Sequence, residues 1–313
     1  MKCILCNNTT KFLDNYKFSL DTDKEYFGNL KIHLCEECNL GFTNPMPEVS
    51  KLNKFYKNVY RSDARPHEIS DNYDTEYFSE RNLSYFSYLS SFINFEKVNN
   101  IFDYGAGNGN LGYLIKKKFK HIKLYSIELG VPSREILQKR GYKLFDRFED
   151  INEKFDLIVS TRAIQQLVNF DIFKLFKNIS HKDTYVFLEV PNNDFKSKFL
   201  KRPYDTPGLI FFSEKSFTKI KEKFNLDIIN LSFSSYSIDQ AYKYMEQSKK
   251  KLNFDDKTNI WKFKKIIKKF IPRLFFQFKL FLFQKKDKDK LIEEFMLNKS
   301  NSWMIKTLFK WKK

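Results

Sequence analysis

Residues 101–109 read IFDYGAGNG, and the fold is decided by this stretch. An apolar run ends at Asp103; Gly105, Gly107 and Gly109 then alternate up to a helical pattern beginning at Leu111. Glycines at such spacing permit positive φ and let a ligand approach the backbone closely. The helix behind them offers unpaired N–H groups at its start. Working outward, short apolar runs alternate with helical patterns from residue 97 to 240. Strands are predicted at Asn100–Tyr104, Lys123–Glu128, Tyr142–Phe145, Phe155–Ser160, Thr184–Val190 and Leu226–Leu231. Helices are predicted at Leu111–Phe119, Ser133–Lys139, Phe170–Ile179 and Ser216–Phe224. Such alternation implies a mainly parallel α/β sheet covered on both faces. Ligands then sit beyond the carboxyl ends of the strands, near the switch in strand order.

The second strand ends in Glu128, 25 residues after Asp103, where a carboxylate can take both hydroxyls of a ribose. The loop lacks the Gly-x-Gly-x-x-Gly spacing of a dinucleotide site, because Asn110 stands where the third glycine is needed. An acid immediately before the loop would also face a pyrophosphate with like charge. It suits a cofactor that carries an amino group and no phosphate, a description that S-adenosylmethionine fits.

The Asp-x-Gly-x-Gly-x-Gly run, Glu128, FDLIVSTRAIQQL and YVFLEVPNNDF together resemble class I S-adenosylmethionine-dependent methyltransferases over residues 97–240. The resemblance implies a Rossmann-like, seven-stranded sheet. It also implies a cofactor site of Asp103, Tyr104, Gly105, Gly107, Asn108 and Gly109, with Glu128 on the ribose. PGLIFFSEKSFTKIKEKFNL is similar to the family's segment in which a Phe-Ser pair precedes a helix and the penultimate strands.

Cys3, Cys6, Cys35 and Cys38 are the only cysteines and form two Cys-x-x-Cys knuckles 28 residues apart. Four thiolates close a tetrahedral zinc site with no open position, so the expected role is structural. A disulfide framework is the competing reading; the opening MKCILCNN has no secretory pattern and argues against it. His33 lies nearby and is expected to be solvated or packed. The continuation CEECNLGFTNPMPEVSKLNKFYKNVY resembles, over residues 1–60, a bacterial subgroup associated with sugars and surface glycans. The large C-terminal domain of its sugar C-methyltransferases is not recognisable here. A ribosomal-RNA guanine methyltransferase subgroup also pairs a zinc site with this fold, but typically with His as fourth ligand and without the Asn-Pro-x-Pro run.

Methyl transfer from a sulfonium is an in-line displacement, so the enzyme positions the acceptor and, for a hydroxyl, removes its proton. Many relatives carry Glu-His after the fourth strand; here the stretch is Ala163-Ile164-Gln165-Gln166-Leu167. Neither glutamine titrates. The candidate catalytic residues are Glu189 as proton acceptor, with Gln166 and Asn192 holding substrate hydroxyls. Thr161, Arg162 and Asn193 are expected at the pocket rim, and Arg162 is a candidate reader of a phosphate. A strand-end carboxylate bonded to backbone is the alternative for Glu189, and an ordinary surface residue for Arg162.

The 313 residues carry 56 Lys and Arg against 38 Asp and Glu, a net charge of +18. Residues 241–313 hold +14 of it, from 21 basic and 7 acidic side chains. At 42% hydrophobic the chain has ample apolar surface for a core, and no window is long and apolar enough for a spanning helix. Four regions are expected: a zinc-binding segment at 1–45, a helical connector or substrate lid at 46–96, the cofactor domain at 97–240 and a basic helical tail at 241–313. In the connector, Tyr77, Phe78, Leu83, Phe86, Leu89 and Ile93 predict one apolar helix face. In the tail, IWKFKKIIKKFIPRLFFQFKLFLF mixes charge with bulky apolar groups. This suits an anionic membrane surface; packing on its own domain, homodimerisation and nucleic acid are the other readings.

The expected function is methyl transfer to a sugar hydroxyl, with carbon second, of a nucleotide-linked or lipid-linked surface glycan, in the cytoplasm or at the inner face of the membrane. An RNA methyltransferase using the basic tail and a non-catalytic zinc-containing scaffold are the two alternatives.

Overall fold

The computed structural model describes residues 1–18, 20–60, 76–193, 208–234 and 304–312. Seven strands form one sheet: β4 (Asn100–Tyr104), β5 (Lys123–Ile127), β6 (Tyr142–Phe145), β7 (Phe155–Thr161), β8 (Ser180–Pro191), β10 (Leu226–Ser234) and β11 (Met304–Trp311). Their order is β10-β11-β8-β7-β4-β5-β6. Strands β6, β5, β4, β7 and β8 run parallel, and β11 runs antiparallel to β8. The order reverses between β4 and β7, so the turn after β4 opens on the switch point.

Helices α4 (Asn110–Lys118), α5 (Val131–Lys139), α6 (Ile172–Asn178) and α7 (Glu214–Phe224) fall where the hydrophobic periodicity places them. Ser213 caps α7 in a box with Ser216: each hydroxyl oxygen accepts the other residue's N–H, which satisfies two donors at that helix start. The core is aliphatic and aromatic: Phe102, Phe155, Phe176, Phe187, Phe217 and Phe309 are almost wholly buried.

The N-terminal segment builds a second sheet, in the order β1-β2-β3-β9, from β1 (Lys11–Asn15), β2 (Lys31–Cys35), β3 (Leu40–Asn44) and β9 (Ile210–Phe211). Strand β9 comes from the chain that follows β8, so the segment is stitched into the larger domain. The Thr43 N–H donates to Leu209 C=O at 2.9 Å, and the Leu209 N–H to Gln165 C=O at 2.8 Å. Helices α1 (Asp21–Phe27) and α2 (Val49–Asn58) pack on this sheet through Phe27, Leu52, Phe55 and Phe211.

Two sequence expectations change. The sequence pattern predicts a helical tail over 241–313, but Met304–Trp311 is a strand between β8 and β10. Residues 241–303, with the proposed membrane-binding stretch, lie outside the described residues. On α3 (Glu76–Ser90), Leu83 is 46% exposed, while Tyr85 and Leu89 are buried against the sheet. A helix buries residues four apart on one face, and that face is set by Phe187 beneath Tyr85, at 5.9 Å between ring centroids. Among the described residues no helix is long and apolar enough to cross a membrane.

Candidate active site

The turn after β4 is braced from behind. Ser126 Oγ donates to Asp103 C=O at 2.7 Å, Gly105 N–H to Ile127 C=O at 3.0 Å, and Tyr142 hydroxyl to Gly109 C=O at 2.9 Å. Gly105 and Gly109 have φ of +65° and +68°. A Cβ on Gly105 would also lie 2.6 Å from the Ala163 side chain, so the turn admits no larger residue there. Asn108 is fixed by two further bonds: its Oδ1 accepts from Ser133 Oγ at 3.1 Å, and its carbonyl from Arg140 at 2.6 Å.

Glu128 accepts Gly107 N–H on Oε2 and Gly130 N–H on Oε1, both at 2.8 Å. Each oxygen keeps a lone pair, so the carboxylate shapes the loop and can still accept from ribose hydroxyls. Asp103 is 4% exposed and its Oδ1 has no hydrogen-bond partner. Burial first, then Glu128, push its carboxyl up to about 7. A buried acid without a partner is costly, and a cationic amino group at this place would satisfy it. The Tyr104 ring packs on Phe148 and Phe176, so this residue reaches the site chiefly through its backbone.

These groups open on a cavity of about 410 Å³. Its wall includes Asp103, the glycine turn and Glu128 on one side. Asn53, Tyr56 and Tyr60, from α2 and just beyond it, also line it, as do Arg81, Asn82 and Tyr85 from α3. Thr161, at the end of β7, and Arg162, Gln165 and Gln166 beyond it belong to the wall as well. The contributions of α2 and α3 were invisible at single-residue level in the sequence; their only signal was the run of Tyr and Phe between 55 and 88.

The candidate catalytic residues divide. Gln166 lines the cavity, whereas Glu189 and Asn192, 2% and 6% exposed, do not. Glu189 is therefore not placed to take a proton directly from an acceptor, contrary to the sequence expectation. Strand alternation explains this: its side chain points into the layer between β8 and α3. Burial raises its pKa, and Arg81, Arg162, Tyr85 and Lys306 pull it back down.

Cys3, Cys6, Cys35 and Cys38 converge, with all four Sγ atoms within 4.8 Å of one another. Pairs Cys3–Cys38, Cys6–Cys35 and Cys6–Cys38 lie 3.7, 3.5 and 3.6 Å apart. A tetrahedral zinc with Zn–S bonds of ~2.3 Å needs sulfurs about 3.8 Å apart, so this geometry is compatible with the ion. His33 stays out of the cluster and packs near Phe12 and Phe42.

A family model described as a methyltransferase domain matches residues 73–231, half of the chain. The protein thus belongs to the methyltransferase-domain family and is a class I S-adenosylmethionine-dependent methyltransferase. Among solved structures, it is similar to Haemonchus contortus phosphoethanolamine N-methyltransferase 2 in complex with S-adenosyl-L-methionine. That likeness has 12% identity and a TM-score of 0.50, over 98% of this chain and 70% of that one. Coclaurine N-methyltransferase bound to N-methylheliamine and S-adenosylhomocysteine gives 14% identity and a TM-score of 0.47, over 74% and 73% of the two chains. An O-methyltransferase from a polyketide synthase multienzyme of Brevibacillus brevis gives 15%, 0.44 and 80% of each chain. At these identities the likeness is one of fold. No curated protein matches the chain.

Proposed function

We propose that the enzyme methylates a sugar hydroxyl on a nucleotide-linked or lipid-linked surface glycan, with a carbon acceptor as the second choice. The observation that carries this reading is the acceptor side of the cavity. Asn53, Asn82 and Gln166 line it together with Tyr56, Tyr60 and Tyr85. Amides pair with hydroxyls in both directions, and aromatic rings cover apolar faces while keeping a polar edge. Part of this wall, α2, is held by the cysteine-bearing segment whose sequence resembles the glycan-linked subgroup.

When bound, S-adenosylmethionine supplies an electrophilic methyl group. Asp103 would hold its amino group and Glu128 its ribose hydroxyls, with the backbone of Tyr104, Gly105, Gly107, Asn108 and Gly109 forming the rest of its site. Gln166 orients the acceptor hydroxyl. Glu189 and Asn192 act from behind the wall, on the residues that line it. With no titrating residue at the Gln165–Gln166 place, rate comes from alignment of the acceptor with the methyl group: the O–C bond forms as the S–C bond breaks, the sulfur keeps the electron pair, and the hydroxyl proton passes to solvent. The four cysteines would hold a structural zinc, which would fix the β1–β3 sheet and, through it, α2.

Purified protein incubated with S-adenosylmethionine and a panel of nucleotide sugars and lipid-linked sugars is analysed by mass spectrometry. Gain of one methyl on a sugar hydroxyl is expected. Methylation of structured RNA, with every sugar left unmodified, would overturn the reading.

A further inference from the structure

We infer that the end of α4 and the start of β5 form a docking surface for anionic phospholipid, on the edge of the sheet opposite the cavity. The inference goes beyond the methyl-transfer reading and does not depend on which acceptor is methylated.

The first observation is where one stretch of chain puts its charges. Between Asp103 and Glu128 there is no acidic residue, and five lysines fall there: Lys116, Lys117, Lys118, Lys120 and Lys123. Strands β4 and β5 are parallel, with Asn100 opposite Lys123 at one end and Tyr104 opposite Ile127 at the other. Asp103 and Glu128 therefore stand at the carboxyl ends, where they line the cavity. Helix α4 carries the chain back to the amino ends, and the lysines lie there. Lys123 N–H donates to Asn99 C=O at 2.8 Å, which brings Lys97 to the same edge. Complementing the dipole of α4 accounts for Lys116, Lys117 and Lys118 in its last turn, but not for the other three.

Little opposes this charge. Lys97, Lys117, Lys118, Lys120 and Lys123 are exposed, and among the described residues none of them is in an ion pair. Asp156 is taken up by the N–H groups of Asn99 and Asn100 and by His181, and Glu153 by Lys143. Glu96 is the one acid between residues 84 and 102.

The second observation is the apolar groups set among these cations. Phe86 on α3 and Phe119 after α4 are only half-buried, and both stack near Phe95, at 5.6 and 5.5 Å between ring centroids. Lys118 Nζ lies 4.9 Å from the centre of the Phe86 ring. Leu83, one turn earlier on α3, is 46% exposed. Apolar groups framed by lysines suit a bilayer interface, where the stems lie along apolar surface and the ammonium groups stay among the phosphates. Nucleic acid fits less well. Residues 97–123 contain no arginine, and lysine is a point charge rather than a two-pronged phosphate clamp. Base stacking needs open ring faces, whereas Phe86 and Phe119 stack on Phe95 and Lys118 lies over Phe86. A chain docked by this edge keeps the cavity edge turned to solution.

The test is flotation of full-length protein with vesicles of phosphatidylcholine, alone or mixed with phosphatidylglycerol. Wild type should float with the anionic vesicles only, and less as salt is added. Lys117→Gln, Lys118→Gln, Lys120→Gln and Lys123→Gln combined should weaken that binding about tenfold or more, since each lysine near an anionic surface contributes. Melting temperature and S-adenosylhomocysteine affinity should stay as in wild type. A second variant, with Lys264, Lys265, Lys268 and Lys269 all changed to Gln, probes the basic tail. If it abolishes flotation while the first variant floats like wild type, the tail is the docking element and the surface is overturned. Wild type that floats with neither vesicle, including one that binds single-stranded RNA instead, overturns it as well.

Discussion

Glu189 on β8 and Lys306 on β11 stand directly opposite each other in the sheet, and both are almost fully buried. Lys306 Nζ donates to Ser84 Oγ at 3.1 Å and lies over the Tyr85 ring at 5.2 Å. Burial lowers its pKa and Glu189 raises it. The strand nearest the C-terminus thus delivers a cation beneath the helix that forms one cavity wall. Lys306→Met should cost ~1–3 kcal/mol, because it removes one of the cations that favour the charged form of buried Glu189. Urea unfolding measures this, and Glu189→Gln in the same chain should recover much of the loss. A double variant no more stable than Lys306→Met alone would deny the coupling.

Removal of residues 304–313 takes out a strand hydrogen-bonded on both sides, between β8 and β10. Two interior edges are exposed at once, with Ile305, Leu308 and Phe309 lost from the core. Cooperative thermal unfolding should disappear. A truncated chain that still melts sharply would show that β11 is dispensable.

Asp103 titrates upward, to about 7, chiefly through burial. A carboxyl raised above its unfolded value holds its proton more tightly when folded. Its contribution to stability therefore falls as pH rises from about 4 to about 7 and levels off above. Asp103→Asn should flatten that slope in unfolding curves measured across the window. Affinity for S-adenosylhomocysteine should rise over the same interval, since the ligand's ammonium group favours the charged carboxylate. The variant should lose this dependence.

Gly105→Ala places a Cβ against Ala163 at a φ of +65°. The expected cost is about 1–2 kcal/mol in stability and a clear loss of S-adenosylhomocysteine affinity by calorimetry. Wild-type affinity in this variant would separate the turn from the cofactor.

The four-cysteine cluster should carry one zinc per chain by atomic emission, and Cys35→Ser should lose it. Phe55 sits wholly buried on α2 above the attached sheet. Loss of the ion should therefore loosen α2 and weaken acceptor binding more than cofactor binding. Equal effects on both would mean that the segment supports the whole domain rather than one wall.

Much of the larger sheet was legible because its signals are local. An apolar run bounded by turn residues marks a strand wherever it lies, and β4 to β8 and β10 match expectation within a few residues. The cysteine spacing likewise announced its own cluster. Strand β11 was not legible: MIKTLFKW sits in a Lys- and Phe-rich stretch and acquires a partner only once β8 offers an open edge. The apolar face of α3 was misjudged at Leu83 and Tyr85 for a similar reason, since Phe187 decides which side is covered.

Sequence alone determined the strand–turn–helix at Asp103–Leu111, the acid at Glu128 and the pairing of the thiols, because each depends on residues close along the chain or on side-chain chemistry. The tertiary structure decided that Glu189 faces inward, that α2 and α3 supply part of the cavity wall, and that Lys306 completes the charge beneath it. Those outcomes depend on which distant surfaces meet, and burial sets the electrostatic weight of a charge only after they have met.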